Sequence, residues 1–131
     1  MTGLDTNVLM RYLVQDDPVQ SPKATACIES FSAEDRGYIS LTALVELGWV
    51  LTSCYGIDKD GLMRIFETLL RTATLVVDQA NTVWKALHLF RSSKADFEDC
   101  LILCSSRAAG CEDTVTFDNA AGKLAGMRML R

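Results

Sequence analysis

Five acidic residues stand where chemistry is possible: Asp5, Glu46, Asp96, Asp99 and Asp118. Carboxylates brought close together cannot all ionise without a cation among them. Hard oxygen ligands at that density select Mg²⁺ or Mn²⁺ rather than zinc. A metal held this way lowers the pKa of a bound water and neutralises charge developing on a phosphoryl oxygen, which is the chemistry of phosphodiester hydrolysis.

Each acid also has a plainer explanation. Asp5, in Asp5-Thr6-Asn7, and Asp118, in Thr116-Phe117-Asp118-Asn119, have the composition of turns and helix caps. Asp96 and Asp99 are three residues apart and share one face of a helix start, where Asp96 can cap and Asp99 can favour the helix dipole. Glu98 between them points elsewhere and is expected in solvent. Glu46 is the only charged residue between Arg36 and Asp58. The apolar residues around it (Ala43, Leu44, Val45, Leu47, Val50 and Leu51) imply burial, and a lone buried carboxylate is costly unless it is paired or binds a metal. The alternative is a narrow polar stripe, Thr42, Glu46 and Ser53, that meets water.

Elements must bring these acids together. Thr2 to Asp5 reads as a first strand, and Val8, Leu9, Tyr12 and Leu13 repeat at helical spacing over residues 7–14. Asp16-Asp17-Pro18 reads as the cap of a helix over 18–33. Strands follow at Tyr38–Ser40, Thr74–Val77 and Thr114–Phe117, with an edge strand over 127–130. Helices are expected over 42–55 (mostly buried, closed by Gly56), 58–71, 78–90 and 96–109, with a short piece over 120–125. Strands alternating with helices predict an α/β chain, a three-layer sandwich around a parallel sheet of four to five strands. Ligands of such sheets bind beyond the carboxyl ends of the strands. Asp5 and Asp118 fall there, and Glu46 and Asp99 lie near the starts of helices that follow strands.

Composition agrees with one compact domain over residues 1–131, with no repeat or linker. The net charge of −4 seems wrong for a nucleic-acid binder. Setting the five acids aside leaves 12 of the 17 acidic residues against 13 bases, so the remaining surface is balanced. The early charge at Asp5 is unlike a secretory leader, and the apolar stretch 39–55 is short for a membrane span and carries Glu46 at its centre, so no export and a cytoplasmic protein are expected. The five cysteines are expected as free thiols. Cys100 and Cys104 have helical rather than zinc-site spacing, and His88, the single histidine, reads as a packing or surface residue. No Ser/His/Asp triad or glycine-rich phosphate loop is present, and Asn7 disfavours a D-x-D phosphatase.

The segments Leu4-Asp5-Thr6-Asn7-Val8-Leu9, Val45-Glu46-Leu47, Ala95-Asp96-Phe97-Glu98-Asp99 and Thr116-Phe117-Asp118 resemble, in order, the four acidic motifs of PIN domains, and most closely those of VapC-type toxins of toxin–antitoxin pairs. The resemblance implies a Mg²⁺- or Mn²⁺-dependent endoribonuclease that leaves 5′-phosphate and 3′-hydroxyl ends. Asp5, Glu46, Asp99 and Asp118 match the metal-binding acids, with Asp96 a further candidate. Thr6, Asn7 and Thr116 match polar positions that orient carboxylates or water. A homodimer and a small antitoxin that fills the acidic groove are also implied.

Two other classes use similar parts. A phosphoacceptor signalling domain would place its acceptor after the third strand, near Asp78, but it needs paired acids after the first, where Asp5 stands alone; it also leaves Glu46 unexplained. A non-catalytic RNA- or protein-binding module on the same fold would have lost an acid, and this chain retains all four. The basic residues Arg11, Lys94, Lys123 and Arg128 are candidates to line an RNA groove.

Overall fold

The computed structural model describes residues 1–131. The chain forms two compact units, Met1–Asp78 and Gln79–Arg131.

The first unit contains three parallel strands, β1 (Thr2–Gly3), β2 (Gly37–Ile39) and β3 (Leu75–Val77), with β2 in the middle. Thr2 pairs with Gly37, and Gly37 with Leu75. Residues alternate across the sheet as a two-residue period demands: Gly37, Ile39, Leu75 and Val77 are buried, and Tyr38 and Val76 are half-buried between them. Two helices make each parallel crossover. α1 (Thr6–Val14) and α2 (Gln20–Glu29) join β1 to β2; α3 (Leu41–Tyr55) and α4 (Lys59–Arg71) join β2 to β3. Because the strands are parallel, Asp5, Ser40 and Asp78 leave the sheet at the same edge.

Local chemistry sets the helix ends. Asp5, Ser40 and Asp58 cap α1, α3 and α4, their side chains accepting from the backbone N–H of Thr6, Ala43 and Gly61. Gly56 closes α3 in the left-handed conformation (φ 63°) that a glycine adopts cheaply. Asp17 is the capping residue that the Asp-Asp-Pro pattern predicts: Oδ1 accepts from Val19 and Gln20. These backbone bonds, the one from Gln20 foremost, hold its pKa below the ordinary value. α2 is shorter than the 18–33 expectation, since Pro18 and Val19 form a turn and Phe31 lies beyond the helix end.

α3 departs from the reading as a mostly buried helix. Ala43, Leu44, Leu47, Gly48 and Leu51 form one buried stripe. The opposite side carries Thr42, Glu46, Trp49 and Ser53, all exposed. Apolar residues are not obliged to be covered, and Trp49 keeps 57% of its surface in solvent. Glu46 is therefore exposed, and the polar stripe, not the buried lone carboxylate, describes it. At 15 residues α3 is too short for a membrane span, and no helix is long and apolar enough to cross one.

The second unit contains α5 (Ala80–Arg91), α6 (Phe97–Ala108), β4 (Thr114–Thr116), a short 3-10 turn over Ala121–Lys123, and β5 (Met127–Met129), which pairs with β4 in parallel. α5 and α6 pack antiparallel: Phe90 meets Phe97 edge-to-face at 5.9 Å near their connection, and Thr82 and Lys85 line one cavity with Cys104 and Arg107 toward the other end. Arg107 reaches the carbonyl of Ala125 and ties α6 to the segment before β5. The α/β class with parallel strands is as the alternation predicts, and the five strands form one parallel sheet in each unit, of three strands in the first and two in the second. All five cysteines are free thiols, with Cys100 and Cys104 buried. His88 is exposed on α5.

Candidate active site

In the first unit, Asp5 follows β1 and caps α1. Its Oδ1 accepts from the Thr6 N–H at 2.8 Å, which leaves the second carboxylate oxygen outside the cap. Thr6 is buried, and its hydroxyl donates to the Ala43 carbonyl at 3.5 Å. That contact ties the start of α1 to the first turn of α3, and Glu46 lies one residue short of a turn beyond Ala43. Asp5 and Glu46 are thus held by two helix starts that are bonded to each other. Asn7, one residue into α1 from Thr6, is exposed.

Asp78, the third acid at this sheet edge, is engaged differently. Its charge acts on the Tyr38 phenol, whose pKa is raised by burial first and by Asp78 second.

In the second unit, Asp96 occupies the N-cap position of α6, yet its side chain makes no capping hydrogen bond. Asp99 lies on the first turn, half-buried. Asp118 follows β4; its N–H donates to Thr116 Oγ1 at 3.0 Å, and its Oδ1 accepts from Ala121 N–H at 2.8 Å. Thr116 and the following turn therefore fix the Asp118 backbone and one carboxylate oxygen. Burial, then the charge of Asp118, then that of Asp96 push the Asp99 carboxyl above its ordinary pKa.

Glu98 corrects the expectation of a solvated residue. It is half-buried, and burial, then Asp96, then Asp99 raise its pKa. Its position in the helix gives no sign of this, because the effect depends on how the first turn of α6 packs.

The charges of Asp96 and Asp99 thus act on Glu98, and those of Asp118 and Asp96 on Asp99. Ionised carboxylates only accept, so they cannot relieve the crowding by bonding to each other. This donor set, all oxygen and short of positive charge, fits a hard divalent cation. The acids are not drawn into a closed cage: no group of three or more His, Cys, Asp or Glu side chains is spaced to hold a metal ion.

The candidate bases differ in their surroundings. Arg128 is paired with Asp113 at 2.9 Å. Arg11 is paired with Asp16 at 3.1 Å and lines a groove that includes Asp5. Lys94 and Lys123 are exposed. Lys23, which has no distinguishing motif in the sequence, lines the same groove as Arg11.

Comparison with known proteins gives the chain a family. The PIN domain family model matches residues 4–127. The VapC ribonuclease of Aquifex aeolicus (strain VF5) is 23% identical over 129 residues, covering 95% of this chain and 92% of that protein.

Proposed function

This chain belongs to the PIN-domain family, and from that premise we propose that it is a Mg²⁺- or Mn²⁺-dependent endoribonuclease, the toxin of a toxin–antitoxin pair. The observation that carries the reading is the match of the PIN domain family model to residues 4–127, a span that holds Asp5, Glu46, Asp96, Asp99 and Asp118. The similarity to a VapC ribonuclease along nearly the whole chain supports RNA as the substrate.

The proposed metal-binding acids are Asp5, Glu46, Asp99 and Asp118, with Asp96 beside them. A bound Mg²⁺ or Mn²⁺ supplies charge at a phosphoryl oxygen and an activated water for in-line hydrolysis. The protein's own part is to hold these oxygens ready. Thr6 N–H orients Asp5, and Thr116 Oγ1 holds the backbone of Asp118. Asn7, exposed next to Thr6, is in place to bond substrate or water. Glu98 adds negative charge, which strengthens cation binding without requiring direct contact. A homodimer and a small antitoxin protein, with action in the cytoplasm, complete the proposal.

The test is cleavage of a labelled structured RNA by purified protein, with Mn²⁺ and with EDTA, beside Asp5→Asn. Metal-dependent cutting that leaves 5′-phosphate ends and disappears in the variant is expected. Equal cutting in EDTA, or full activity in the variant, overturns the proposal.

A further inference from the structure

The groove between α1 and α2 leads away from Asp5 to two basic side chains that the metal site does not use. Asn7, Val8 and Arg11 line it from α1, and Gln20, Lys23, Ala24 and Cys27 from α2; with Asp5 they enclose about 320 Å³. Both sets repeat at helical spacing, so each helix presents one continuous face to the groove. Arg11 lies six residues beyond Asp5, roughly 9 Å along the helix at 1.5 Å per residue.

Arg11 is braced rather than loose. Its Nε donates to Gln20 Oε1 at 2.9 Å and its Nη1 to Asp16 Oδ1 at 3.1 Å. Asp16 is itself held by the Tyr55 hydroxyl at 3.0 Å. A guanidinium fixed on two sides presents its remaining edge in a set direction, which suits recognition of a phosphate. Lys23 is exposed and has no carboxylate partner. Asp5 is the only acid among the residues that line the groove. Val8, Ala24 and Cys27 give the bed an apolar surface against which a ribose or base can lie.

We propose that this groove is the subsite for the nucleotide adjoining the cleaved phosphodiester, with Lys23 and Arg11 binding its phosphate. The inference rests on the ribonuclease reading for the identity of the strand, but it concerns binding and is tested apart from cutting. A site at one end of which the strand is cut must bind the strand beyond the cut, and Arg11 and Lys23 are the cations that line the groove together with Asp5.

The experiment measures binding of a fluorescent single-stranded oligoribonucleotide by anisotropy in EDTA, across a series of salt concentrations, for the wild type, Lys23→Glu and Arg64→Glu. Arg64 is exposed on α4 and controls for net charge. Lys23→Glu is expected to weaken binding about tenfold and to flatten the salt dependence of log K by about 0.7, the value for one fewer phosphate neutralised on a single strand. Arg64→Glu should do neither. Equal losses in the two variants, or none in Lys23→Glu, overturn the subsite. Lys23-dependent binding by a protein that cuts no RNA with Mn²⁺ keeps the subsite and defeats the nuclease. Normal cutting with Lys23-independent binding does the reverse. Absence of RNA binding by the wild type defeats the subsite directly.

Discussion

Asp118 lies beside Asp99 closely enough that its negative charge, after burial, is the main reason the Asp99 carboxyl titrates above its ordinary range. One acid follows a strand and the other opens a helix, and 19 positions of the sequence separate them. Mutual repulsion of this kind costs folding stability, and proteins retain it where the charge density serves a ligand.

The sign of the effect gives a pH dependence for the metal-free protein. Asp99 and Glu98 have raised pKa values in the folded state. Their contribution is fully present below the unfolded carboxylate value, about 4, and is lost as pH rises through the folded values. In EDTA the melting temperature should therefore rise as pH is lowered from 7 toward 5. Asp17 works in the opposite sense: its lowered pKa contributes stability that disappears only as pH falls below the ordinary range. The gain should consequently reverse in stronger acid. A melting temperature that falls steadily from pH 7 to 5 would show that the cluster is not repulsive.

Asp99→Asn removes the centre of that cluster. It should raise the metal-free melting temperature at pH 7, because it deletes a repelled charge and keeps the shape. It should also reduce the Mn²⁺-induced rise in melting temperature, which measures preferential binding to the folded state, and lower cleavage by roughly a hundredfold or more. Differential scanning fluorimetry with and without Mn²⁺ reads the first two effects. A variant less stable than wild type in EDTA, with its Mn²⁺ shift intact, would remove Asp99 from the metal-binding set.

Thr116→Val replaces the acceptor for the Asp118 N–H with a methyl group. Loss of one such bond costs about 0.5–1.5 kcal/mol, so chemical denaturation should show a small decrease in stability. Cleavage should fall further than stability does, since the Asp118 backbone is then no longer held in place. Thr116→Ser, which restores the hydroxyl, should recover both. If serine fails where threonine works, the methyl group and not the hydrogen bond is what matters at this position.

Ser40→Ala tests whether α3 acts as a rigid mount. Ser40 Oγ accepts from Ala43 N–H at 3.1 Å, and loss of such a cap costs about 1 kcal/mol. Urea unfolding should shift accordingly, while the Mn²⁺-induced shift in melting temperature stays at its wild-type size. A lost Mn²⁺ response would mean that fraying of the first turn displaces Glu46.

Much of this arrangement is legible in the chain itself. Asp5, Asp58 and Gly56 announce helix boundaries by local chemistry, and Leu62, Ile65, Phe66, Leu69 and Leu70 mark the inner stripe of α4 by spacing alone, three of them buried and Ile65 and Leu70 half-buried. The acids can be picked out because strand ends and helix starts are readable from short windows. What misleads depends on packing between distant segments. Glu46 reads as buried because its neighbours are apolar, but which face of α3 is covered is decided by α1 and α4. Glu98 reads as solvated because helical geometry turns it away from Asp96 and Asp99, though charge acts through space. Lys23 stands out only once α2 lies along α1.

Glu46 offers the cleanest separation of stability from function. An exposed carboxylate with no burial cost contributes little to the fold, and surface substitutions usually change stability by less than about 0.5 kcal/mol. Glu46→Gln should therefore unfold at the wild-type denaturant concentration. It keeps the side chain's length and loses only the charge, so any large loss of RNA cleavage must come from the missing ligand. The expected result is wild-type stability, a smaller Mn²⁺ shift, and cleavage reduced by roughly a hundredfold. The same change at Glu34, an exposed acid in the loop before β2, should alter none of the three. If Glu46→Gln cuts RNA as the wild type does, the exposed stripe on α3 is only a solvated face, and the metal must be held without it.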